Sequence, residues 1–500
     1  MAFAVASSGG MEIIMAKILI IGGGVAGLAA GIYARLSGHE AVVCEKHFLP
    51  GGNLTGWQRG EYHIDNCIHW LTGTNKNNPF YKMWCELGVL GDGIGIIQGN
   101  SLFSCERDGI RVSLPPSLEQ LYNDMLSLSP EDKDEIERFC NAIALLMATE
   151  NIAGPDCNEG VTLPRLVRGI CPAIKYYGLT TGGLAARFKH PALQCFITGF
   201  WGDDFGALAL LYVFATYCGR NGGLPEGGSL KSAERMAERF KSLGGTLHLK
   251  REAVKVNIEG GKARSVIFSD GSEEFADYII LTTDPAATFG RILDIRMPEK
   301  MKKQYENPKL RRFSSYHAAF ACDLKELPFE SDLIFDVPEK YVDILGTKQL
   351  IVREFSHEPS YAPEGKNILQ TMTFCFDKDC ADFIRLRRDN RAAYREKCQQ
   401  LSEILMQLIE EHCPTLRGRL SLIDFWTPAT YERFVGSDIG SFMSFAIPEK
   451  FLPIPLDNRV EGTDNLLLAT QWLQSPGGLP TAAEQGKRAI ESINKIEMKK

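Results

Sequence analysis

The 500-residue chain lacks an excess of positive charge, paired cysteines and any hydrophobic run long enough to cross a bilayer. Lys and Arg number 55 against 62 for Asp and Glu, a net charge of −7, so a polybasic nucleic-acid binder is excluded as the leading reading and no nucleic-acid partner is expected. The 14 cysteines include no C-x-x-C pair and no Cys/His run of zinc spacing, which argues against a structural zinc site and leaves no metal in the reading. Cys375 and Cys380 are too far apart in sequence for a redox dithiol of that kind. Scattered thiols in a chain of this length read as small buried hydrophobes in a reducing compartment, here cytoplasmic. The longest apolar run, residues 205–218, predicts a buried helix rather than a membrane span. Residues 1–14 lack the basic region of a secretory signal, and Met11 or Met15 would also serve as a start. Repeats, low-complexity tracts and Pro-rich linkers are missing too. What remains is ordinary globular composition, 44% hydrophobic and 23% charged, at a length that predicts more than one domain.

The richest chemistry lies between Ala16 and Glu45. Lys17-Ile18-Leu19-Ile20-Ile21 is a β-branched-rich run, as a strand buried on both faces requires. It enters Gly22-Gly23-Gly24-Val25-Ala26-Gly27, followed by a small-residue helix pattern to Leu36, with Gly38 as its stop. A second strand, residues 40–44, ends in Glu45. Gly22 permits the tight turn, Gly24 lets a pyrophosphate approach the backbone, and Gly27 lets helix and strand pack closely. Phosphates then meet the free N–H groups of the first turn, at Val25 and Ala26, and the positive end of the helix dipole. Glu45 is placed for the two hydroxyls of an adenosine ribose. Strand, glycines, helix, second strand and terminal acid in that order make a specific dinucleotide signal, but one that does not separate NAD from FAD.

The next residues bear on that choice. Glu45-Lys46-His47-Phe48-Leu49-Pro50-Gly51-Gly52-Asn53 places a Gly-Gly turn soon after the ribose acid, and Tyr62-His63-Ile64-Asp65-Asn66-Cys67-Ile68-His69-Trp70 follows. Far downstream, Pro225-Glu226-Gly227-Gly228-Ser229-Leu230 precedes a helix ending near Gly244-Gly245, then strands at 246–249 and 253–258, an Asp270-Gly271 hairpin turn, and a further strand from Asp277. At the C-terminus, a strand over 465–470 runs into Gln471-Trp472-Leu473-Gln474-Ser475-Pro476-Gly477-Gly478-Leu479-Pro480 and a helix to about Ile496, with Pro480 suited to the first turn. Together these blocks resemble the FAD-dependent phytoene desaturase, carotenoid isomerase and retinol saturase family. Asn53 stands where amine oxidases carry Arg, and Cys67 where glycine is usual; the first argues against the amine oxidase branch.

The resemblance implies an α/β fold, a Rossmann-type FAD-binding domain of the glutathione reductase and amine oxidase kind interleaved with an α+β substrate domain. The FAD domain is expected from residues 15–74, 222–290 and 462–500, and the substrate domain from 75–221 and 291–461. It further implies FAD contacts from Lys46, Gly51, Gly52 and Asn53, a backbone amide at Val254 meeting the adenine, and Gln471, Gly478 and Leu479 at the flavin. There a helix N-terminus would stabilise the negative charge of the reduced ring. Gln471 is neutral, so its contact would be an uncharged hydrogen bond.

Between these blocks the first insertion reads as helix-rich. Ser129-Pro130-Glu131-Asp132 is a helix start with Ser as cap, and residues 191–200 and 205–218 are apolar helices. The second mixes strands at 313–322 and 367–376 with an amphipathic helix at 391–412. No second GxGxxG stands on a strand-to-helix turn, so electrons pass through the one flavin to an external donor or acceptor, unless the reaction is redox-neutral. The family points to carbon–carbon bonds of a hydrophobic polyene, isoprenoid or lipid-like small molecule, desaturated or saturated by hydride transfer at flavin N5. Alternatives are cis–trans isomerisation with reduced FAD, an amine oxidase-type reaction, and a flavin-free binding protein. His69 is the polar residue expected nearest the ring as acid or base; its competing reading is a hydrogen-bonded interface histidine. Trp472 and Gln471 are expected to shape the flavin edge, and Tyr316 and His317 are further candidates on a substrate-domain strand. A polyene substrate would also make peripheral membrane contact useful.

Overall fold

The computed structural model describes residues 15–150, 174–451 and 455–498. Residues 1–14, with the alternative start Met11, residues 151–173 of the first insertion, residues 452–454 and the last two residues lie outside the described residues, whereas the other alternative start, Met15, is the first described residue.

Two sheets organise the chain. The first has five parallel strands in the order Leu466–Leu468, Tyr278–Leu281, Lys17–Ile21, Glu40–Cys44, Thr246–His248. Its strands therefore come from the beginning, middle and end of the chain. Lys17–Ile21 is central because both its faces are covered, which suits its unbroken apolar run. On one face, helix Val25–Leu36 packs against Gly228–Ser242 and Leu479–Glu497. Small residues set those distances: a Cβ on Gly31 would lie 2.8 Å from the Phe240 ring, and one on Gly486 would lie 2.4 Å from Ala26 O. The other face carries an antiparallel meander, Ala253–Glu259, Lys262–Phe268 and Glu273–Phe275, packed through Val256, Val266 and Phe268.

The second sheet has seven strands in the order Leu420–Trp426, Phe313–Cys322, Asn367–Phe376, Gln349–Glu354, Asp332–Asp336, Phe103–Arg107, Ile110–Ser113. All neighbours are antiparallel except Asp332–Asp336 with Phe103–Arg107. The first insertion is thus more than helical: it supplies two edge strands joined by Asp108-Gly109, both at positive φ (54° and 73°), a tight hairpin turn. Helices Pro191–Thr198 and Ala207–Cys218 pack on one face of this sheet, and Arg391–His412 on the other. The expected cap at Ser129 is different in detail. Pro130–Asp132 forms a 3₁₀ turn ahead of Lys133–Glu150, and Ser129 Oγ donates to Asp132 Oδ2 (2.8 Å) rather than accepting a backbone N–H. Asp132 in turn accepts the backbone N–H groups of Lys189 and His190, so the pair anchors a neighbouring loop.

One carboxylate ties the segments together. Asp65, at the end of the hairpin Gly56–Arg59/Tyr62–Asp65, accepts from Cys67 N (3.2 Å), Ser229 Oγ (2.5 Å), Ser229 N (2.7 Å) and Tyr361 OH (3.0 Å). Gly228 sits at φ 67°, and any Cβ there would be 2.4 Å from Asp65 Oδ2 and 1.9 Å from Tyr361 OH. Replacing Asp65 by Ala leaves these buried donors without an acceptor, and we predict a loss of about 3 kcal/mol in stability. A urea midpoint unchanged from wild type would refute this.

Candidate functional site

At the N-terminal glycines the structure separates packing from ligand space. A Cβ on Gly22 (φ 106°) would meet Thr282 Oγ1 at 2.3 Å, and one on Gly27 would meet Gly22 O at 1.9 Å, so the fold itself requires both glycines. Gly24 is different. Its backbone is extended (φ −73°, ψ −175°), and a Cβ there would find only Gly51 O and Gly52 Cα, at 3.7 and 3.9 Å. Nothing in the protein demands glycine at 24, and its absence of a side chain leaves the space over the helix N-terminus open. Val25 and Ala26 line the same space. The Gly51-Gly52 turn forms the opposite wall, held by Gly51 N donating to Gly23 O (2.8 Å).

Glu45 is buried, and its carboxylate is fixed by Gly23 N (2.6 Å) and His47 N (2.8 Å). Lys46 reaches Arg433 O (3.3 Å), and Val254, 42% exposed, lines the same cleft. Asn53 donates to Phe442 O (3.1 Å) while its Oδ1 is buried without a partner, an acceptor left over for a bound group. These features fit a dinucleotide: a cradle, two helix N-termini, an acid and an unsatisfied polar atom.

The second helix N-terminus is the start of Leu479–Glu497, which has no side-chain cap. Here Gln471 is held by two uncharged hydrogen bonds. Its Nε2 donates to Phe442 O (3.0 Å) and its Oε1 accepts from Gly478 N (2.8 Å), so its carboxamide braces the turn, although the residue lines the cavity. Gly478 and Leu479 line the cavity at the first turn of this helix, with the Gly478 N–H already taken by Gln471. Trp472 is buried in a small core, stacked on Tyr305 at 5.5 Å and edge-on to Phe445 at 5.2 Å.

From this cradle one continuous cavity of about 1510 Å³ extends to the seven-stranded sheet. Its far walls are aromatic, including Phe200, Trp201, Phe205, Phe313, Phe374 and Phe442, with Trp201 stacked on Phe374 at 5.8 Å. His69 lines it, half-buried, against the edge of Phe200. Its Nδ1 is 3.0 Å from Asp332 Oδ2, and Asp332 also pairs with Arg353 (3.5 Å). An ionised Asp332 only accepts, so Nδ1 carries the proton and Nε2 holds the free lone pair. Burial, then the Arg353 charge, hold the imidazole below the ordinary histidine range, with Asp332 opposing them.

Strand alternation decides between the two other candidates. His317 faces the cavity, stacked on Trp426 at 4.7 Å, with Nε2 near Ser315 Oγ (2.5 Å) and Tyr431 OH (3.2 Å). Tyr431 donates to Asn66 Oδ1 (2.9 Å). Tyr316 points to the opposite face, where its OH donates to Leu345 O (2.9 Å), so it takes no part in this site. Cys67 lines the cavity, but burial pushes its thiol up to about 12, leaving it a neutral packing group. Asp332, Arg353, Ser315 and Tyr431 were not singled out in the sequence. Asp332 and Arg353 carry no local motif, and only the sheet brings them to His69. Among the described residues no cluster of His, Cys, Asp or Glu could hold a metal, and no helix is long and apolar enough to cross a membrane.

Two predictions follow from this geometry. Gly24→Val should abolish dinucleotide binding by calorimetric titration while the melting temperature stays within a few degrees; Gly27→Val should instead destabilise the fold. Retained binding in the Gly24 variant would contradict the cradle. For His317, burial drives its pKa well below the ordinary value. The unfolded chain takes up this proton near pH ~6.5 and the folded chain does not, so stability is complete above that pH and declines as pH falls below it. His317→Gln should flatten the fall in melting temperature between about pH 7.5 and 5.5; an unchanged slope would exclude His317 as a contributor.

Comparison with known proteins agrees with this layout. A family model described as an NAD(P)-binding Rossmann-like domain matches residues 20–87. The chain is 24% identical to prolycopene isomerase 1, chloroplastic, of an Oncidium hybrid cultivar, over 88% of this chain and 77% of that protein. It is 23% identical to the 4,4'-diapophytoene desaturase (4,4'-diapolycopene-forming) of Methylomonas sp, over 95% of each. In fold it is similar to putrescine oxidase bound to putrescine, with TM-score 0.60 and 14% identity, covering 96% of this chain and 99% of that one. The chain has a Rossmann-type α/β fold and is similar over most of its length to carotenoid isomerases and desaturases.

Proposed function

We propose that the protein is an FAD-dependent oxidoreductase that forms or saturates carbon–carbon double bonds in a hydrophobic polyene, isoprenoid or lipid-like substrate. The observation that carries this reading is the single cavity joining the glycine cradle to an aromatic chamber. Its volume of about 1510 Å³ exceeds what one small ligand needs, and its walls change from backbone amides to aromatic rings along its length. FAD fits the cradle through Gly22, Gly24, Val25 and Ala26 at the phosphates, with Gly27 allowing the close helix–strand packing behind them. Glu45 and Lys46 serve the ribose end, Gly51, Gly52 and Asn53 the opposite wall, Val254 the adenine, and Gln471, Gly478 and Leu479 the ring end. When bound, FAD supplies at N5 the site that takes or gives a hydride.

The chain's own residues do the rest. The aromatic chamber binds and straightens an apolar chain and excludes water. His69 Nε2 takes the companion proton as the substrate C–H bond breaks, and returns it in the saturating direction. Electrons then leave to, or arrive from, an external partner through the same cavity. A second reading, redox-neutral cis–trans isomerisation with reduced FAD, is favoured by the similarity to prolycopene isomerases.

The test is anaerobic incubation of the purified protein with polyene and isoprenoid lipid pools and oxidised or reduced FAD, read by chromatography and mass spectrometry. Loss or gain of two hydrogens identifies desaturation or saturation; altered retention at constant mass identifies isomerisation. A protein that takes up no FAD, or whose flavin is bleached only by amines, would overturn the proposal. With a hydrogen-transfer substrate in hand, His69→Gln should lower kcat by about 10²-fold or more.

A further inference from the structure

We propose that Asp332 and Arg353 are positioning residues that hold His69 as a neutral imidazole, protonated on Nδ1 and with Nε2 open to the cavity. The inference rests on the function proposed above and names the groups that ready His69 for proton transfer.

The three side chains form one array drawn from separate parts of the chain. His69 belongs to the segment after the first hairpin, while Asp332 and Arg353 lie on adjacent antiparallel strands of the seven-stranded sheet. Asp332 divides its oxygens: Oδ2 lies 3.0 Å from His69 Nδ1 and Oδ1 lies 3.5 Å from Arg353 Nε. Arg353 then donates through a terminal nitrogen to Ile68 O (2.9 Å), the carbonyl immediately before His69. It thereby fixes both the partner of the imidazole and the backbone that carries it.

Stability alone does not account for this arrangement. The side chains of Arg353 and Asp332 are only 6% and 11% exposed, and removing two charges from water costs about as much as their attraction returns. Arg353 Nε has no hydrogen bond, so the pair is not arranged for the strongest Arg–carboxylate contact. Its geometry is arranged around the histidine.

The charges also oppose each other at the ring. Asp332 attracts a proton to His69, whereas Arg353 repels one. The remaining neighbours are Asp65 from the adjoining segment, His317 from Phe313–Cys322, and the rings of Trp70 and Phe200. With Asp332 and Arg353 offsetting each other, burial decides, and the ring stays neutral at physiological pH. Asp332 fixes the tautomer and, once Nε2 has taken a proton, stabilises the imidazolium. Arg353 prevents solvent from protonating the ring beforehand.

The experiment is an imidazole NMR titration of the full chain, with and without FAD, with His69 assigned by the missing signals of His69→Gln. The wild type should show the Nδ1–H tautomer and titrate below the ordinary histidine range. Asp332→Asn should weaken proton binding by about tenfold, whereas Arg353→Gln should strengthen it. Arg353→Lys, which keeps the charge, should stay near wild type and guards against a Gln variant that fails to fold. An Nε2–H tautomer in the wild type, or shifts in the same direction for both charge-removing variants, would overturn the proposal. Because the titration needs neither substrate nor turnover, failure of the proposed reaction and failure of this array are read separately.

Discussion

The Asp65 carboxylate is the constraint on which the rest of the site depends. It sits where the hairpin Gly56–Arg59/Tyr62–Asp65, the glycine turn into helix Gly228–Ser242 and Tyr361 converge. A buried charge with four donors is stable only if all four arrive together, so it fixes the relative position of three distant stretches of chain. That position sets where Cys67 and His69 enter the cavity. It also explains why glycine precedes Ser229: no side chain fits between the carboxylate and Tyr361.

Phe442 O plays a matching part on the other side of the cavity. Asn53 beside the Gly51-Gly52 turn and Gln471 beside the Gly477-Gly478 turn both donate to it. Two glycine turns far apart in sequence are thereby held to one carbonyl, that of Phe442. The cavity between them is polar through backbone at one end and aromatic at the other, so a dinucleotide and an apolar chain can meet end to end. Buried polar groups at the aromatic end are bonded to one another, as in His317, Ser315, Tyr431 and Asn66.

Much of this was legible in the sequence because local rules and global fold agree there. Strand Lys17–Ile21, helix Val25–Leu36, strands Phe313–Cys322 and Asn367–Phe376 and helix Arg391–His412 all follow from residue pattern, and the separated glycine motifs return to one parallel sheet. The hairpin at Asp108-Gly109 carried the same Asp-Gly signal as Asp270-Gly271, but its flanking strand Ile110–Ser113 is largely exposed and lacks a strong apolar alternation. Asp332 and Arg353 were not legible for a different reason. Neither belongs to a local motif, and their meeting with His69 depends on strand order and register in the second sheet. Gln471 shows the reverse case: its place in the site was readable, but the direction of its amide was set by the Gly478 N–H that only the folded turn presents.

The strand order of the parallel sheet also has a bearing on biosynthesis. The central strand Lys17–Ile21 can pair early with Glu40–Cys44, but its other neighbour, Tyr278–Leu281, leaves the ribosome more than two hundred residues later. The sheet closes only when Leu466–Leu468 arrives. Until then a hydrophobic strand edge lacks its partner, and the pairings that complete it span most of the chain. Such long-range parallel pairing is slow and leaves the growing chain exposed to aggregation until its last strand has emerged.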